Sequence, residues 1–219
     1  MNYSTRILIT DSEFYSDAIR RIRKEVLRNI GLSPAGIDVE PISYATYLFG
    51  FREGVSRPVS MLETYFYAQR FASFEDSAYS QAGDLGSLGT LENTVHLRTC
   101  FVDPEYRKRS SLFLLNCLAA AWVNFQLGAR GATTGTSESN DYVISLFLKT
   151  GWRRIGTYFM EGRPHVLFFT DLKRFFNHSR IQDAIHLLFL SDNYAGESRS
   201  LLSRSLLKYK NSSVPLNVK

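Results

Sequence analysis

The chain has 219 residues, 44% of them apolar, with 16 Phe, 12 Tyr and a net charge of +5. That is the composition of a globular protein with a full core, sized for one domain or one domain with an appendage. No stretch approaches the ~20 apolar residues of a membrane-spanning helix, and the N-terminus lacks the apolar core and small-residue cleavage site of a signal peptide. The two cysteines, Cys100 and Cys117, follow no metal-ligand spacing and make no disulfide framework, so a reducing compartment, the cytoplasm, is expected and no metal is.

Arg6–Thr10 (RILIT) reads as a short strand. Asp11 or Ser12 can cap the helix that follows, which runs to about Asn29. Phe14, Ala18, Ile19, Ile22, Val26 and Leu27 are spaced as its apolar face, and Gly31 stops it. The stretch 32–41 is loop-like. Tyr44–Arg52 and Pro58–Tyr67 then form a hairpin around Glu53–Arg57. Residues 70–93, rich in Ser, Gly and acids, make a long loop of the kind that often carries function. Thr94–Val102 is the next strand, followed by a helix over 109–127 that Gly128 stops. Gly131–Thr136 is a short strand, and Asn140–Thr150 is a helix ended by Gly151. Arg153–Met160 and His165–Asp171 form a second hairpin turning at 161–164. Two helical segments, 181–190 and 198–210, complete the chain. The order β-α-ββ-β-α-β-α-ββ plus a helical tail predicts a mixed α/β sheet.

The charge is unevenly placed. From Leu172 onward there are eight Lys/Arg and three Asp/Glu, whereas residues 1–171 hold eighteen of each. A domain over 1–171 with a basic helical extension over 172–219 is therefore expected. Such a tail suits a solvated helix or an acidic partner. Three further bases, Arg107, Lys108 and Arg109, stand at the turn from strand 94–102 into the next helix. Unpaired N–H groups and the helix dipole make such a turn attractive to anions.

Over 1–171 this order of elements, together with V-D-P-x-Y-R at 102–107 and N-x₁₀-G-W at 140–152, resembles the GNAT superfamily of acyl-CoA-dependent N-acyltransferases. The resemblance implies an α/β (α+β) fold with a mixed, mostly antiparallel central sheet and helices on both faces. It also implies that Arg107, Lys108, Arg109, Ser110 and Ser111 meet the phosphate of a pantetheine arm, and that the backbone of Phe101 and Val102 pairs with its amides. The family's glycines at this turn are replaced by Ser110 and Leu112. A leucine there can obstruct a diphosphate, or it can point into the core. The first case favours acyl carrier protein, which carries the same arm with one phosphate on an acidic surface, over acyl-CoA. Arg153 and Arg154 are expected to widen the patch from the end of a neighbouring helix. Phe147 stands where the family often has a tyrosine that protonates the leaving thiolate, itself a tolerable leaving group (thiol pKa ~8.5).

The N-terminal half also resembles acyl-homoserine-lactone synthases and long-chain N-acyl amino acid synthases. The carrying features are the Arg-rich first helix, the GIDVEP loop and the hairpin 47–64. The lactone synthases' Glu-x-x-Arg pair falls on His96 and Thr99 and is missing, which favours the amino acid synthases. The implied reaction moves an acyl group from an acyl carrier protein thioester to the amine of an amino acid or similar small amine. The amine must lose a proton, and His96 is the first candidate for the base, with Glu92 as the alternative. Arg98 is a candidate for holding a substrate carboxylate through its planar fork, or for pairing with an acid on the next strand. Asn140 is placed with substrate binding. Strict alternation puts His96, Arg98 and Cys100 on one face. The apolar helix 181–190 reads as a cover over the sheet that closes an acyl tunnel, or, as is more usual for such a helix, as plain core or a dimer contact. Two other readings stand beside this one: an acetyl-CoA-dependent N-acetyltransferase, and a non-catalytic GNAT-like module binding a partner or nucleic acid through its basic tail. No nucleic acid is expected for the enzyme, and the sequence leaves its oligomeric state open.

Overall fold

The computed structural model describes residues 5–10, 15–29, 31, 33–35, 39–42, 45–66, 93–107, 112–160, 162–179 and 181. Among them are the strands β1 (Thr5–Thr10), β2 (Thr46–Arg52), β3 (Ser60–Phe66), β4 (Thr94–Val102), β5 (Gly131–Ser137), β6 (Arg153–Met160) and β7 (Arg163–Asp171). The helices are α1 (Ser16–Asn29), α2 (Leu112–Gln126), α3 (Asp141–Lys149) and α4 (Leu172–Asn177). The strands form one sheet in the order β1-β2-β3-β4-β5-β7-β6. Only the β4–β5 pair is parallel; the other pairs are antiparallel. The mixed, mostly antiparallel sheet expected from the sequence is observed.

Both faces of the sheet are covered, because the strands are apolar on both sides and must be shielded on both. On one face Ile19 and Ile22 of α1 pack on Tyr47, Phe49, Met61, Tyr65 and Phe101. On the other, α2 lies across Leu48, Leu62, Val95 and Leu97, joined by Phe147 of α3 and by Leu172, Phe175 and Phe176 of α4. Residues 117–122 of α2 are buried without interruption. Ala119, Ala120 and Ala121 give this helix little side-chain bulk against the sheet. Its two buried asparagines donate to strand hydroxyls: Asn116 Nδ2 to Ser60 Oγ (3.1 Å) and Asn124 Nδ2 to Thr64 Oγ1 (3.0 Å).

The residues after Asp171 begin as core. Leu172, Phe175, Phe176 and Ile181 are each at most 2% exposed. The tail segments from 182 onward and the long loop over 70–92 lie outside the described residues. No helix among the described residues is long and apolar enough to cross a membrane.

Candidate functional site

The site is built where one strand breaks its regular period. In β4, Phe101 pairs with Met61 and Arg98 with Glu63, so two β4 residues oppose the single Leu62. This is a β-bulge, and Thr99 within it has φ 49°. A β-branched residue in the left-handed region is a genuine outlier. Such strain costs about 1–2 kcal/mol and gathers at functional sites. The extra residue flips the strand after it. His96 stays on the α1 face, its ring tilted at 45° to that of Tyr65 with centroids 5.7 Å apart. Cys100 instead packs into the α2-face core and shares a hydrogen bond with Cys117. That bond, with burial, holds the Cys100 thiol well above its ordinary range. The shared face expected for His96, Arg98 and Cys100 therefore holds only up to the bulge.

The bulge gives a first test of the local structure. Thr99→Gly relieves the left-handed strain but adds the entropy cost of glycine, which cancels much of the gain. Urea unfolding should show stability unchanged or raised by up to about 1 kcal/mol. A loss larger than that would mean the threonine side chain itself holds the bulge.

At the same point β4 and β5 part. Their parallel pairing runs from Thr94/Gly131 to Leu97/Thr134 and stops, although β4 continues to Val102 and β5 to Ser137. The gap opens a cleft of about 260 Å³ that passes from one face of the sheet to the other. On the α1 face it is lined by Arg23, Leu27, His96, Arg98, Tyr158 and His165; on the other, by Cys100, Phe113, Val143 and Phe147.

His96 is 3% exposed and on the cleft wall. Its Nδ1 lies 2.9 Å from Thr133 Oγ1, and that hydroxyl donates to Val95 O at 3.3 Å. With the hydroxyl proton so used, Nδ1 carries the imidazole proton and Nε2 the lone pair. His165 is fixed in the same tautomer, since its Nδ1 lies 3.0 Å from Arg163 O and a carbonyl only accepts.

The sequence reading missed the buried ion pair beside these groups. Arg23 of α1 and Glu63 of β3 are 7% and 0% exposed, with Nη2 2.6 Å and Nε 3.1 Å from Glu63 Oε2. Arg23 Nη1 also donates to Glu40 O, and Nη2 lies 3.4 Å from Tyr47 Oη. Burial first, then the Glu63 charge, pushes the Tyr47 phenol up to about 12, so it stays neutral. Glu63 directly faces Arg98 across the strands. An acid on the next strand, as considered for Arg98, thus stands opposite it: Glu63 of β3. Arg23 and Glu63 could have been flagged as charges standing within apolar patterns.

The V-D-P-E-Y-R stretch serves the turn itself. Asp103 caps a one-turn helix at Pro104–Tyr106, accepting from Glu105 N at 3.1 Å, and pairs with Arg57 at 2.7 Å. Arg107 Nε donates to Val102 O at 2.8 Å, so this carbonyl already has a partner. Phe101 is buried against the α1 face and paired with Met61, and only its backbone can serve the cleft. Leu112 is 1% exposed, among Val59 and Val102. Its side chain points into the core, the second of the two cases expected for it. Arg153 and Arg154 begin β6 rather than ending a helix; Arg153 lies over the Phe169 ring, and Arg154 pairs with Glu138 at 3.1 Å. Asn140 lines the cleft while capping α3, accepting from Val143 N and donating to Thr136 Oγ1 at 3.3 Å. Phe147 belongs to the core and also lines the cleft. Glu92, Lys108, Arg109, Ser110 and Ser111 lie outside the described residues. Among the described residues no group of His, Cys, Asp and Glu is arranged to hold a metal.

No protein-family model and no curated protein sequence matches the chain. Its structure, however, is similar to solved acyltransferases. A CoA-dependent acyl-homoserine lactone synthase, BjaI, solved with SAM and isopentyl-CoA, superposes with TM-score 0.61 at 13% identity, covering 94% of this chain and 99% of that one. The acyl-homoserine lactone synthase LasI gives 0.58 at 13%, covering 78% and 91%. An acetyltransferase of the GNAT family from Staphylococcus aureus Mu50 gives 0.53 at 12%, covering 76% and 99%. The chain therefore has the GNAT fold, in the form shared by these acetyltransferases and lactone synthases.

Proposed function

We propose that the protein is an N-acyltransferase that moves an acyl group from a pantetheine thioester to the amine of an amino acid or similar small amine. The observation that carries the proposal is the through-sheet cleft where β4 and β5 part. An extended arm entering from the α2 face meets two open strand edges, whose backbone groups match its amides. The amine approaches from the α1 face, where Arg23, His96 and Arg98 stand. His96 Nε2 takes the proton that the attacking nitrogen must lose. A strand-edge N–H polarises the thioester carbonyl. Arg98 offers a cation for an acceptor carboxylate.

The donor we favour is acyl carrier protein, drawn by Arg107 and by the bases that follow it in sequence. Leu112 is buried in the core, so it no longer argues against a diphosphate, and acyl-CoA stands as the second reading. Turnover with both donors at matched chain length separates them. The carrier reading predicts a clearly higher kcat/KM for the carrier thioester, most pronounced at low salt. Equal turnover with acyl-CoA would overturn it. Mass analysis of lipids from an expressing bacterium tests the class itself: an N-acyl amine is expected, and its absence together with salt-sensitive DNA binding would favour a non-catalytic module.

A further inference from the structure

Thioester aminolysis releases a thiolate, and a group able to protonate it has not been assigned. Phe113, Val143 and Phe147, which line the α2 side of the cleft, offer no proton, and the Cys100 thiol beside them is packed into the core and hydrogen-bonded with Cys117. A phenol reaches the cleft from a different element. Tyr158 of β6 pairs with His165 of β7, which lies in the strand next to β5. Its side chain crosses β7 and ends over Gly135, where an added Cβ would overlap Tyr158 Oη and lie 3.1 Å from Cζ and 3.2 Å from Cε1. The phenol end thus occupies the space that any other residue at 135 would fill.

This placement is specific. Gly135 is the first β5 residue beyond the last pair with β4. Thr133, the partner of His96, lies two residues earlier on the same face. His96 and the phenol therefore flank the mouth of the split. Strand spacing puts the His96 and Gly135 backbones roughly 8 Å apart, which leaves room for a reacting carbon between the two groups. Tyr158 is 5% exposed, and its ring lies against that of His165 with centroids 5.3 Å apart at 30°. The ring is held by burial and by His165, as a positioned proton donor requires.

We infer that Tyr158 is the acid of the reaction, donating its phenolic proton to the departing pantetheine sulfur, with Gly135 as the glycine that lets it reach. The inference rests on the acyl-transfer reading. In the step, the C–S bond breaks and its electron pair goes to sulfur, which takes the Tyr158 proton. The C–N bond forms, and the proton lost from nitrogen goes to His96 Nε2. The imidazolium then returns a proton to the phenolate through water. The sum is one amide and one thiol from one amine and one thioester, with no net change in the protein.

The test varies the leaving group. An acyl-pantetheine thioester, whose alkyl thiolate needs a proton, is compared with the 4-nitrothiophenyl ester of the same acid, whose thiolate does not. The proteinogenic amino acids are supplied as acceptors, and N-acyl product is read by mass spectrometry. Tyr158→Phe should lower kcat with the alkyl thioester by about 10²-fold, with KM little changed, and the deficit should close with the aryl donor. Gly135→Ala keeps the phenol but displaces it, and should show the same donor-selective loss. Equal losses with both donors, or no loss with the alkyl donor, in a variant that melts like wild type would overturn the inference. If wild-type protein transfers from neither donor, the acyl-transfer reading falls first and takes this step with it.

Discussion

Replacing Glu63 by alanine should destabilise the protein by about 3–5 kcal/mol, as expected when one partner of a buried ion pair is removed. The cost comes from the charge left behind. Arg23 is 7% exposed and contacts Glu63 Oε2 through two nitrogens. Without that carboxylate the guanidinium keeps, among the described residues, the Glu40 carbonyl and the Tyr47 hydroxyl, both neutral. Removing both charges at once should cost far less. A Arg23→Met, Glu63→Leu double variant should recover most of the stability, because apolar replacements of buried pairs are often neutral or better. Urea unfolding of the two single variants and the double variant closes the cycle. A loss below about 1 kcal/mol for Glu63→Ala would match an exposed pair and contradict the burial. The double variant should still fail as an enzyme, since it loses a cation from the cleft wall. Stability and activity would then separate.

His96→Ala should lower turnover by about 10²-fold or more while leaving the fold intact. His96 stands on β4 at the cleft, and its lone-pair nitrogen is fixed by a second residue: Thr133 Oγ1 accepts a hydrogen bond from Nδ1–H and so leaves the basic site on Nε2. A base acts only when unprotonated. The limb of the kcat–pH profile that reports the base should therefore vanish in the variant. Thr133→Val supplies a control: it removes the oxygen that selects the tautomer while leaving the imidazole in place, and should lower kcat without abolishing the limb. An unchanged pH–rate curve in a folded His96→Ala protein would transfer the role to Glu92 or to water.

Much of the fold was legible because its signals are local. The boundaries of β4 and β6 follow directly from alternation between turn residues, and the end of α1 from its apolar spacing. Gly128 and Gly151 were read as helix stops, and both adopt positive φ, at 97° and 87°. His96 was legible as a polar residue in an apolar strand, and it does line the cleft. The fate of Leu112 was not legible. Sequence leaves a residue at a helix start free to point either way, and only the neighbouring Val59 and Val102 place it in the core.

The sequence by itself determined the order of elements, their helix or strand character and the polar residues available to the central strand. These depend on period, turn chemistry and capping, which act within a few residues. Tertiary structure alone decided the site. The Arg23–Glu63 pair joins residues 40 apart in sequence, and each charge taken singly looks solvated. The bulge at Thr99 runs against the preference of a β-branched residue and is set by register with β3, so alternation misplaced Cys100. Tyr158 reads as an ordinary core aromatic of β6 until the sheet lays its phenol over Gly135, a position defined only by what its missing side chain lets in. Register, face and separation depend on strand pairing across the whole chain, and there the local pattern has no further information to give.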